Sequence, residues 1–135
     1  MALLTWSSKY SVGVQAMDKQ HTVLFDMVNE LHGAMMQGKA QNVTGPLLRK
    51  LADYTHKHFA EEEAVMASKK YPELTQHIAL HRELTKKVEE FITRFERGEN
   101  TLSLHLLNFL RDWLTNHIQK VEHNYGPYLN EQGVR

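Results

Sequence analysis

The chain has 135 residues, enough for one domain with a real core, and its 16 Lys and Arg balance its 16 Asp and Glu to a formal net charge of zero. No basic patch, polybasic run or acidic tail stands out, which argues against a nucleic-acid partner. There is no cysteine, so disulfides, thiolate metal sites, iron–sulfur clusters and thiol nucleophiles are excluded. The N-terminus does not look like a secretory signal, and no segment approaches the ~20 apolar residues of a membrane span, so the expectation is a soluble, cytoplasmic protein with no membrane partner.

Residues 1–17 read as an N-terminal arm whose Trp6, Tyr10 and Val12 can pack on the helical part of the chain. A first helix is expected from about Asp18, as N-cap, to Gln37, stopped by Gly38. Its inward stripe is His21, Leu24, Val28, Leu31 and Met35, at three-and-four spacing. A second helix is expected to begin at Thr44-Gly45-Pro46, a cap and a first-turn proline, and to run to about Ser68. Leu47, Leu51, Tyr54, Thr55, His58, Glu62 and Val65 share its face, and Tyr71-Pro72 breaks the chain. The third helix, from about Pro72 to Arg97, carries His77, His81, Leu84, Val88, Phe91 and Phe95 on one side and Arg82, Lys86, Glu89 and Glu90 on the other. The fourth runs from about Ser103 to Asn124 with Leu106, Leu110, Trp113, Leu114, His117 and Val121 inward. Gly126-Pro127 is read as its end, leaving 126–135 as a tail.

Short loops make consecutive helices antiparallel neighbours. The pattern therefore predicts an all-α, antiparallel, up-down-up-down four-helix bundle over residues 18–125, in a single domain spanning 1–135. The histidines agree with that topology independently. His21 lies early in the first helix, His58 late in the second, His77 and His81 early in the third and His117 late in the fourth, so all fall at one end.

Neutral imidazoles are costly to bury unless something binds them. His77 and His81, four apart, project from one face and can chelate one ion; His58 and Glu62 repeat the spacing. Nitrogen and oxygen donors without sulfur suit iron, manganese, zinc or copper. Five imidazoles exceed what one tetrahedral zinc needs, so the count argues for two ions. His56, His105 and His123 lie off the stripes and read as solvated. His32 follows His21 by eleven residues, about 16 Å along the axis, too far to share a metal, and reads as a core or boundary histidine.

Four segments resemble the hemerythrins, specifically their single-domain bacterial branch, the bacteriohemerythrins. They are Asp18-Lys19-Gln20-His21, His58-Phe59-Ala60-Glu61-Glu62-Glu63, His77-Ile78-Ala79-Leu80-His81 and Arg111-Asp112-Trp113-Leu114-Thr115-Asn116-His117-Ile118. The closing Tyr125-Gly126-Pro127 also resembles that branch, and the similarity covers essentially the whole chain. The resemblance implies two iron ions with a bridging oxo or hydroxo group. His77, His81 and His117 would bind one, His21 and His58 the other, and Glu62 would bridge them. The family's second bridge is an aspartate five residues after the last histidine; here that position is Glu122. On an ideal α-helix it lies about 140° from the His117 direction, so the wheel alone does not select it.

Counting these ligands, the first iron is six-coordinate and the second five-coordinate, with one open position for a small molecule. In the family that molecule is dioxygen. Leu24, Phe59, Trp113, Leu114 and Ile118 match the family's pocket positions and are all apolar, with Leu114 expected beside bound oxygen. The implied function is reversible dioxygen binding for storage, transfer or delivery to an oxygen-consuming enzyme. The alternatives are a di-iron enzyme reducing peroxide or nitric oxide, and an oxygen sensor acting through a partner. Five imidazoles leave few anionic donors for high-valent iron, which favours a carrier over an enzyme. Zero net charge and no obvious exposed apolar stripe fit a monomer.

Overall fold

The computed structural model describes residues 4–38, 41–97, 103–121 and 124–135, and the side chains of all of these except 41–44, 103–106, 120 and 121. These residues are all-α, with helices α1 (Gln15–Met36), α2 (Gln41–Ser68), α3 (Leu74–Glu96), α4 (Ser103–Asn116) and α5 (Tyr125–Glu131). A 3-10 turn, Ser8–Tyr10, precedes α1, and a π-helical turn, His117–Val121, continues α4. No helix among the described residues is long and apolar enough to cross a membrane.

The expected stripes form the centre of the buried faces, but Met35, Leu47, Tyr54, Val65, Leu84 and Phe91 are only half-buried at their margins, while Met17, Phe25 and Ile92, outside the expected stripes, are covered. On α1, Met17, His21, Leu24, Phe25, Val28 and Leu31 recur at helical spacing and are covered. On α3, His77, His81, Val88, Ile92 and Phe95 do the same. Antiparallel order is set by the contacts at each end. Late α3 lies against early α4, with the rings of Phe91 and Phe109 5.2 Å apart. Early α2 reaches late α3, where Arg49 contacts Glu96 at 3.0 Å and Glu89 at 3.4 Å. At the opposite end early α1 meets late α2 through His21 and His58, and early α3 meets the π-helical turn that continues α4 through His77 and His117.

Three helix boundaries differ from expectation, each for a local reason. First, α1 begins at Gln15, so Asp18 is not its N-cap. The Asp18 carboxylate instead reaches back over the arm, accepting the Val12 N–H at 2.8 Å and the Ser11 hydroxyl at 2.6 Å. Second, α2 begins at Gln41, which places Pro46 inside the helix at the loss of one backbone hydrogen bond. The capping side chain expected there, Thr44, lies outside the described residues. Third, Gly126-Pro127 does not end helical structure: it opens α5, where a first-turn proline forfeits no intrahelical donor. The bundle therefore does not give way to a tail at 126.

That last glycine has a second purpose. A Cβ placed on Gly126 would lie 2.0 Å from the Val12 carbonyl oxygen, so only glycine lets α5 sit on the arm. Asn130 fastens the same contact, its Nδ2 donating to Gly13 O and Val134 O at 2.8 Å each. Further along the arm, Leu4 and Asn29 exchange two hydrogen bonds of 2.8 Å, and Trp6 and Tyr10 pack their rings on Phe25. The arm thus runs alongside α1 from Asp18 to Asn29, and α5 lies at the end where the histidines gather.

Candidate metal centre

His21, His58, Glu62, His77, His81 and His117 are all buried, none more than 5% exposed. Their donor atoms converge on one carboxylate, and its two oxygens divide the imidazoles. Glu62 Oε1 lies 2.9 Å from His77 Nε2 and 3.1 Å from His81 Nε2. Glu62 Oε2 lies 3.3 Å from His58 Nε2 and 3.7 Å from His21 Nε2, and those two nitrogens are 3.1 Å apart. One donor atom from each of Glu62, His77, His81 and His117 falls within 4.8 Å of the others, and the same holds for His21, His58 and Glu62. Two donor sets sharing one carboxylate is the arrangement expected of a pair of bridged cations.

Hydrogen bonds behind the rings fix which nitrogens face inward. Glu63 Oε2 accepts from His81 Nδ1 at 2.7 Å, and Gln20 Oε1 accepts from His58 Nδ1 at 2.6 Å. Those oxygens carry no hydrogen, so each Nδ1 holds the proton, and a neutral ring presents a bare Nε2 to the centre. His81 Nε2 then faces Glu62 Oε1, acceptor against acceptor, and no hydrogen bond satisfies that buried nitrogen. A cation between them resolves the conflict, so the residues present fit a metal.

Burial alone would raise the Glu62 carboxyl. Where the surrounding rings donate, hydrogen bonds from His21, His58, His77 and His81 outweigh burial and hold the group well below the usual carboxylate range; where they present bare nitrogens, a cation must take that place. Glu62 is therefore an anion sealed from water, and it needs positive charge nearby. The Tyr125 hydroxyl, itself fully buried on α5, donates to Glu62 Oε2 at 2.8 Å and orients that oxygen.

The apolar residues expected beside the centre are buried as well: Leu24, Phe59, Leu114 and Ile118 at 4% exposure or less, and Trp113 at 7%. Phe59 stacks flat on His81, with ring centroids 3.8 Å apart and planes 5° from parallel. Of the histidines off the stripes, His32 is half-buried and His56 is exposed, 3.6 Å from Glu89. His123 and the side chain of His105 lie outside the described residues, as do those of Leu106 and Val121.

Glu122 also lies outside them, but the segment leading to it alters the reasoning applied to it. From His117 to Val121 the chain is π-helical, with hydrogen bonds closing over five residues rather than four. The ideal α-helical wheel, which turned position 122 away from His117, does not describe this turn.

Sequence reasoning missed Gln20, Glu61, Glu63 and Tyr125. The first three are helix neighbours of His21 and Glu62, about 100° round the helix from them, so a stripe search passes over them. They stand in the motif segments, and a question about what holds each imidazole's second nitrogen would have found them.

A helical bundle enclosing five imidazoles and a carboxylate at one end defines a class: the metal-binding four-helix bundles. The profile of the hemerythrin HHE cation binding domain matches residues 12–129, and the chain belongs to the hemerythrin family. It is 38% identical to the bacteriohemerythrin of Methylococcus capsulatus (strain Bath) over 96% of this chain and 99% of that protein. It is 35% identical to the bacteriohemerythrin of Pseudomonas aeruginosa (strain PAO1) over 93% of this chain and 80% of that one. The crystal structure of a wild-type hemerythrin superposes with a TM-score of 0.87 at 38% identity, covering 93% of this chain and 97% of the other. That of a hemerythrin L114A mutant superposes with a TM-score of 0.88, covering 94% and 97%.

Proposed function

We propose that this chain holds two iron ions and binds dioxygen reversibly. His77, His81 and His117 hold one ion with Glu62 Oε1, and His21 and His58 hold the other with Glu62 Oε2. The observation that carries this reading is the division of the imidazoles between the two oxygens of one buried carboxylate. Membership of the hemerythrin family supports iron as the metal and dioxygen as the ligand, and favours an oxygen-binding protein over an enzyme.

Bound iron supplies the electrons and, at the two-imidazole position, the open coordination site that reversible oxygen binding needs. The protein supplies the rest. Glu62 fixes the separation of the two positions, and Tyr125 holds its Oε2 in place. Leu24, Phe59, Trp113, Leu114 and Ile118 keep water from the open position, where it would convert reversible binding into irreversible oxidation. Glu122 serves as the second bridge in place of the family's aspartate. The π-helical turn His117–Val121 supports this, because it removes the α-helical wheel argument that stood against that position. The physiological task is oxygen storage, transfer or delivery to an oxygen-consuming enzyme.

Protein loaded anaerobically with ferrous iron and titrated with oxygen tests the proposal. The expected result is near-ultraviolet and visible charge-transfer bands that vanish when oxygen is removed and return when it is restored. Oxidation that deoxygenation never reverses would rule out a carrier.

A further inference from the structure

Three consecutive glutamates on α2 point three ways, because successive helical residues are rotated by about 100°. Glu62 points inward to the imidazoles. Glu63 reaches to one side, where its carboxylate accepts a hydrogen bond from His81 Nδ1 at 2.7 Å. Glu61 reaches to the other, where it accepts from the Gln20 amide, whose carbonyl oxygen accepts a hydrogen bond from His58 Nδ1 at 2.6 Å. One imidazole from each donor set is thus held from behind, but by groups of different charge. His81 leans directly on an anion, whereas His58 leans on a neutral amide with the anion one residue further off.

We propose that Glu63 is a positioning residue that makes the two iron positions electronically unequal, stabilising the oxidised state at the position held by His77, His81 and His117. This rests on the dinuclear reading of the site. A hydrogen bond to a carboxylate is stronger than one to an amide and draws the Nδ1 proton away from the ring. The ring gains imidazolate character, its Nε2 becomes the better donor, and the more highly charged ion is favoured. His58 receives less of this push, and its position has one imidazole fewer, so its ion is the easier of the two to keep reduced.

The surroundings suit the role. The His81 side chain is 2% exposed and that of Glu63 28%, so the carboxylate stands between the buried ring and solvent. It borders a cleft of about 350 Å³ that Arg82 and Lys86 also line. Phe59, flat against His81, keeps the ring from rotating out of reach. A packing role alone would be met equally by glutamine, which keeps the acceptor and removes only the charge.

Two variants of opposite sign test the proposal. Glu63→Gln, at a partly exposed position, should leave the fold intact. It should shift the oxidised-to-reduced equilibrium of the iron protein about tenfold toward reduced, about 59 mV for a one-electron couple in spectroelectrochemical titration. Zinc, which has no redox chemistry, should bind about 10-fold to 100-fold more weakly in chelator competition. Gln20→Glu combined with Glu61→Gln keeps an amide donor facing the new carboxylate and moves the anion directly onto His58. That variant should move zinc affinity and the overall equilibrium the other way, which a loss of packing cannot do. Nitrogen-15 NMR of the metal-free parent should find His81 protonated at Nδ1, whatever number of irons the protein later holds. A parent binding only one iron would defeat the dinuclear reading while the NMR and zinc measurements still reported on Glu63. Unchanged potential and unchanged zinc affinity in Glu63→Gln, or an Nε2-protonated His81, would overturn the proposal.

Discussion

At one end of the bundle the space between the helices is filled by Val28 and Leu31 of α1, Leu48 and Leu51 of α2, Val88, Ile92 and Phe95 of α3, and Leu107 and Leu110 of α4, all buried. At the other end the same kind of space holds five imidazoles and a carboxylate. The first end stabilises itself through apolar area removed from water. The second places an anion and bare ring nitrogens where no water reaches, which is unfavourable until a cation joins them. Around that costly end lie features the apolar end does without: α5, the glycine contact at Val12 and the tyrosine on Glu62. One end holds the fold and the other spends stability on binding, so substitutions at the two ends should separate stability from metal content.

The sharpest separation should come from Glu62→Ala. It removes the one group shared by both donor sets, and iron per chain should fall below one by elemental analysis; retention of two irons would break the comparison. Phe95→Ala at the apolar end should cost about 3–5 kcal/mol in urea unfolding, yet leave the iron content of folded protein unchanged. Gly126→Ala should cost about 2 kcal/mol, because the added methyl group meets the Val12 carbonyl and α5 must shift. Its iron should also be released faster to a chelator, since α5 carries Tyr125.

The metal-free protein should weaken in acid. The Glu62 carboxyl is held below its ordinary range when folded, so its contribution is complete above the ordinary carboxylate pKa of about 4.3 and is lost as pH falls through the lower folded value. Glu62→Gln should flatten that part of the acid unfolding profile. The smallest effect on folding should come from Leu114→Tyr, which places a hydroxyl near the open position. The fold should persist while the rate of autoxidation changes, and an identical rate would remove Leu114 from the oxygen pocket.

Much of this was legible in the sequence, because the bundle and its ligand stripe obey one period. His21, His58, Glu62, His77, His81 and His117 sit at three-and-four spacing among apolar residues, so the rule that located the core also picked out the buried imidazoles and carboxylate. What escaped was what departs from that period. The π-helical turn after His117 changes the register where the α-helical wheel was applied to Glu122. The run of α5 across Gly126-Pro127 depends on a close approach to Val12, a contact more than a hundred residues away in sequence. Gln20, Glu61 and Glu63 act from off the stripe, through the far nitrogens of the rings. Helical periodicity finds side chains that point inward; it does not find those that reach round from the side.

The most direct test is to load the protein anaerobically with ferrous salt, remove unbound metal, and measure both iron per chain and oxygen taken up per iron. Two irons per chain and one dioxygen for each pair, released on deoxygenation, is the expected outcome. A single iron per chain, or oxygen uptake that cannot be reversed, would contradict a bridged pair on Glu62 that carries dioxygen.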